Sequence, residues 1–87
     1  MVRDGDLVAV FHSVHRVMEA EKILKVAGAD ILLIPVPRQL SSDCGLAIRY
    51  ASSEETVVAA VLRGKGLQPA ELYLRKGDEF VQVALKS

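Results

Sequence analysis

Two prolines, Pro35 and Pro37, follow directly on the apolar run Ile31-Leu32-Leu33-Ile34. Neither has an amide hydrogen to give to a ladder, so a buried strand built on that run has to stop where they begin. Leu7-Val8-Ala9-Val10-Phe11 is a second brief apolar run, suited to a buried strand. Between the two runs, Val14, Val17, Leu24 and Ala27 fall at helical spacing, with Met18 and Ala20 nearby. Glu19, Glu21, Lys22 and Lys25 take the remaining face. Ser13 is placed to cap this helix, and Gly28 to stop it.

Beyond the prolines, Leu46, Ile48 and Tyr50 alternate with Ala47, Arg49 and Ala51, a period of two that predicts a third strand. Ser52 followed by Glu55 has the spacing of a capping box, and Glu54 suits the positive end of a helix. Val57, Val58, Val61 and Leu62 then fall on one helical face, before Gly64 and Gly66. Glu71 to Arg75, a Lys76-Gly77-Asp78 turn, and Phe80 to Leu85 predict a hairpin. The order is β-α-β-β-α-β with an extra C-terminal strand, which predicts an α+β, ferredoxin-like sandwich. In that arrangement the first two strands run parallel. The end of strand one, the start of helix one and the loop after strand two then share one end of the sheet.

The chain has 87 residues, which predicts a single domain over residues 1–87. Hydrophobic residues make up 51% of it but aromatic ones only 5%, an excess that fits a sheet covered on both faces, or one face kept for a partner. Eleven basic residues balance 11 acidic ones, so the basic footprint of a nucleic-acid binder is missing. The apolar run from Ile31 to Val36 is too short to span a bilayer. The start Met1-Val2-Arg3-Asp4-Gly5-Asp6 lacks the core of a signal peptide, and one cysteine cannot form an internal disulfide. A reducing cytoplasm is the expected setting.

That cysteine, Cys44, stands in Arg38-Gln39-Leu40-Ser41-Ser42-Asp43-Cys44-Gly45. A lone cysteine is commonly a small buried hydrophobe. Here the segment is polar and turn-rich, with Arg38 close in sequence, Ser41 and Ser42 able to donate to a sulfur anion, and Gly45 permitting close backbone approach. Ser13, at the start of the first helix, adds open N–H groups and the helix dipole to the same end. Asp43 opposes them. Each residue also has a plainer role: Arg38 as a solvated loop arginine, Ser41 and Ser42 as turn formers.

His12 and His15 could serve as a base for Cys44, or be ordinary surface histidines. With no fourth ligand in view, they and Cys44 do not make a closed zinc site, and no metal is expected. Gly64-Lys65-Gly66 follows a helix and does not open one, so it is not a phosphate loop.

Phe11-x-Ser13, Ala20-Glu21-Lys22-x-Leu24-Lys25, and above all Ile34-Pro35-Val36-Pro37-Arg38-x-Leu40-Ser41-Ser42-x-Cys44-Gly45-Leu46-Ala47 carry a resemblance over nearly the whole chain. With these residues it resembles the Se/S carrier protein-like family of short bacterial domains. The resemblance implies handling of reduced sulfur or selenium, with Cys44 as carrier residue, no cofactor, and separate donor and acceptor proteins. Some relatives are fused to a small sulfur-relay domain, which is not expected here. Two expectations result. In one, the Cys44 thiolate accepts sulfur or selenium and passes it on, as a carrier more than a turnover enzyme. In the other, the chain is a non-catalytic binding or regulatory module that forms a homo-oligomer, with Cys44 buried or incidental. A one-cysteine thiol enzyme or redox sensor is a third, needing a resolving thiol from another molecule.

Overall fold

All five residues of β1 (Asp6–Val10) are buried, because this strand lies in the middle of the sheet with neighbours on both sides. The computed structural model describes residues 2–41 and 44–85. The chain continues through α1 (Val14–Val26), β2 (Leu32–Pro35), β3 (Leu46–Ala51), a 3-10 turn (Ser52–Glu54), α2 (Glu55–Gly64), β4 (Glu71–Lys76) and β5 (Glu79–Val83). The result is an α+β domain: two helices and one five-stranded antiparallel sheet in the order β2-β3-β1-β4-β5. It is one strand wider than a four-stranded sandwich sheet.

Strand alternation divides the interior in two. Leu7 and Ala9 of β1, Ile48 and Tyr50 of β3, and Leu72 of β4 pack with Val17, Ala20 and Leu24 of α1 and Val58 and Leu62 of α2. Both helices therefore bury their apolar stripe in the same layer. On the opposite face, Val8, Val10, Ile34 and Ala47 are also buried, but under Val2, Val36, Leu40, Tyr73 and Phe80. The second face is thus covered by the N-terminal segment, the β2–β3 loop and side chains of the last hairpin, which accounts for the apolar share of the sequence. Leu24 and Ile48 have no exposed surface, so truncating either to alanine should cost about 2–5 kcal/mol.

The first helix starts and stops as its sequence predicts. Ser13 is extended, and its Oγ accepts from the Arg16 amide at 3.2 Å. Gly28 follows with φ 82°, a conformation costly for any residue with a Cβ.

The capping box at the second helix does not form. The Glu55 amide bonds to the Ser52 carbonyl in the 3-10 turn, with no side-chain cap. The neighbouring carboxylate of Glu54 accepts from the Asp30 amide at 3.0 Å, in the loop between α1 and β2. Val57, expected on the buried stripe, is half exposed because Val58 and Leu62 define that stripe. The strand expected to be buried over this run is an edge strand, so Leu32 is exposed, and Pro35 lies inside β2 as its last residue because one side of an edge ladder is unused.

Candidate functional site

The register sets which chain ends meet. Val10, the last residue of β1, lies opposite Ala47, and Pro35, the last of β2, lies opposite Leu46. Both strands run antiparallel to β3, so they are parallel to each other and finish at the end where β3 begins. Cys44 stands two residues before β3, at that end, with His12 and Ser13 leading out of β1 and Glu71 opening β4 opposite Val10.

The loop that carries Cys44 is pinned at its neck and at its middle. The Val36 amide donates to the Gly45 carbonyl at 3.0 Å, which prolongs the β2–β3 ladder by one bond. The Leu40 amide donates to the Pro37 carbonyl at 2.9 Å, so Pro37 to Leu40 form a turn with Arg38 and Gln39 at its exposed tip. Val36 and Leu40 pack on one face of the sheet, whereas Cys44 and Leu46 pack on the helical side. The loop therefore wraps around the sheet end, and Cys44 is held at the margin of the core.

Cys44 is half-buried and forms no disulfide. Its Sγ donates to the Leu46 carbonyl at 3.3 Å, a bond that a thiol can make and a thiolate cannot. Gly45 has φ 72°, and a Cβ built on it would meet nothing within 4 Å. That backbone angle by itself calls for glycine.

Arg38 and Ser41 are exposed, and Ser13 Oγ accepts the capping bond of α1. No hydrogen bond or ion pair among the described residues joins any of these three to Cys44. Ser42 and Asp43 lie outside the described residues. His15 is 90% exposed and faces Glu19 one turn along α1, with 3.8 Å between Nε2 and Oε1, so its side chain is turned along the helix surface.

His12 is placed differently. It is the one non-glycine residue with positive φ, 60°, among the described residues, a conformation that costs roughly 1–2 kcal/mol for a residue with a Cβ. Its Nε2 lies 3.5 Å from Glu71 Oε1, and the Tyr73 hydroxyl donates to the same oxygen at 3.1 Å. Partial burial and the Glu71 carboxylate push the Tyr73 phenol up. Sequence reading missed Glu71 and Tyr73. Their period-two spacing puts them on one face of β4, but only the β1–β4 pairing brings that face to His12. Among the described residues no group of His, Cys, Asp and Glu could hold a metal ion. No helix among them is long and apolar enough to cross a membrane.

The family model described as Putative Se/S carrier protein-like matches residues 6–74. The chain belongs to that family. Membership in this Se/S carrier protein-like family covers everything from the first residue of β1 to Leu74 in β4, including the whole Cys44 loop, His12 and Glu71. The fifth strand lies beyond the match. No curated protein and no solved structure matches the chain.

Proposed function

We propose that this protein is a sulfur or selenium carrier that uses the Cys44 thiolate. The observation that carries this reading is that a chain of the Se/S carrier protein-like family has one cysteine, part-exposed at a pinned loop. Any cargo held through a thiol on this chain has only that sulfur to hold it.

In the loading step, the Cys44 thiolate attacks the terminal sulfur of a donor persulfide, R–S–SH. A new S–S bond forms to Cys44, the bond between the donor's two sulfurs breaks, and the donor leaves as its thiolate. A donor perselenide, R–S–SeH, reacts in the same way with selenium as the atom transferred. Delivery repeats the exchange: an acceptor thiolate attacks the terminal atom, and Cys44 leaves as thiolate. No external oxidant or reductant enters, since the sulfane atom moves between thiols. Before attack, Sγ gives up its proton and its bond to the Leu46 carbonyl. His12, held towards Glu71 at the same sheet end, is the residue we assign to receive that proton. Arg38, Ser41, Ser42, Ser13 and the Gly45 amide are the assigned donors to the loaded terminal anion. Donor and acceptor are separate proteins, and a reducing cytoplasm is the setting that keeps the thiol available.

We also assign the fold to the ferredoxin-like sandwich. The order β2-β3-β1-β4 with both helices in one buried layer supports it, and β5 is an added edge strand.

The test is intact mass after incubation with a persulfide donor and, separately, a perselenide donor, comparing the native chain with Cys44→Ser. One added sulfur or selenium atom on the native chain alone supports the carrier and names its cargo. A native chain that alkylates readily yet never gains an atom overturns it.

A further inference from the structure

The outer surface of the helical layer carries an apolar groove that the sheet does not use. Ile23 and Val26 of α1 form one wall, and Ala60 and Val61 of α2 form the other. Val26 is 83% exposed, so a large apolar side chain is held almost entirely in water. Lys22 and Lys65 complete the lining, which contains no acidic side chain. Neither lysine forms an ion pair among the described residues, whereas Lys25, further along α1, is satisfied by Glu21 at 3.1 Å. In a chain of formal net charge +0, two unneutralised cations flanking one apolar groove define what complements it.

We propose that this groove docks an amphipathic helical segment of a partner protein, its apolar stripe between α1 and α2 and its acidic flanks on Lys22 and Lys65. The apolar walls and only two cations disfavour nucleic acid, whose binding depends on many phosphate contacts. A second copy of the chain is also a poorer occupant, because the same groove on the copy offers no carboxylate to Lys22 and Lys65. No residue of the Cys44 loop lines the groove, so the proposal is independent of the chemistry assigned to Cys44.

The experiment is an NMR titration of the isotope-labelled full chain with a synthetic peptide helix bearing a leucine stripe flanked by glutamates. The controls are the same stripe flanked by lysines, and vesicles of anionic phospholipid. The expected result is saturable shifts at Ile23, Val26, Ala60 and Val61 with the glutamate peptide, weakened by salt. The Lys22→Glu/Lys65→Glu double variant should bind about tenfold more weakly, as expected for reversal of two exposed charges. Val26→Asp should abolish the shifts, and because these three positions are exposed, an unchanged spectrum elsewhere will show that the fold is kept. Absence of shifts at the groove overturns the proposal. So does equal binding of the lysine-flanked peptide, a response to vesicles only, or dilution-dependent shifts of the chain alone that mark self-association through this face.

Discussion

The Val36 amide donates to the Gly45 carbonyl at 3.0 Å, and this bond closes the loop that presents Cys44. Gly45 can make it because its backbone sits at φ 72°, where nothing lies within 4 Å of the missing Cβ. Gly45→Ala should therefore destabilise the fold by about 1 kcal/mol through backbone strain alone. Gly64→Ala should act with the opposite sign, adding about 0.5–1 kcal/mol. Gly64 ends α2 in open space, with no positive φ to lose. Urea unfolding of the two variants measures both, and equal signs would remove the distinction.

His12 holds a left-handed backbone with an imidazole that faces Glu71. Comparing His12→Gly with His12→Ala separates the two contributions, because both variants lose the ring. The glycine variant should be the more stable by about 1 kcal/mol, the strain relieved at φ 60°. Chemical denaturation of the pair reads the difference directly.

Cys44→Ser keeps a hydroxyl where the thiol donates to the Leu46 carbonyl. At a half-buried position its unfolding free energy should stay within about 1 kcal/mol of the native chain. Thermal and urea unfolding check this, and the result validates that variant as the control for loading experiments.

Burial, with the Glu55 carboxylate adding to it, pushes the Tyr50 phenol far above the ordinary tyrosine range. The folded chain thus retains this proton after the unfolded chain, ionising near about 10, has released it. Because the folded-state value is the raised one, the stability it contributes is complete below about pH 10 and is lost as pH rises beyond that. Denaturation midpoints should be flat across neutral pH with respect to this group and fall in alkali. Tyr50→Phe should flatten the alkaline limb, and an unchanged limb would assign it to other groups.

Much of the fold was legible in the chain's local chemistry. Ser13 and Gly28 bracket the first helix, Leu46 to Ala51 alternate as a strand, and Lys76-Gly77-Asp78 marks the turn of the last hairpin. Each signal is local, a matter of periodicity or of a single backbone angle. The exceptions lie around the start of α2. The Glu55 amide bonds the Ser52 carbonyl in a 3-10 turn where a capping box was expected, Glu54 bonds Asp30 across the fold, and Val57 is turned outward by the packing of Val58 and Leu62.

The candidate site divides along the same line. The sequence by itself determined that one thiol is available, that it stands in a polar loop after two prolines, and that the element order brings the end of β1 near that loop. Only the tertiary structure decided that Val36 and Leu40 clamp one sheet face while Cys44 packs on the other. It alone joined His12 to Glu71 and Tyr73. Those relationships depend on strand register and on which face each side chain occupies. Both are set by long-range pairing between segments that share no local signal.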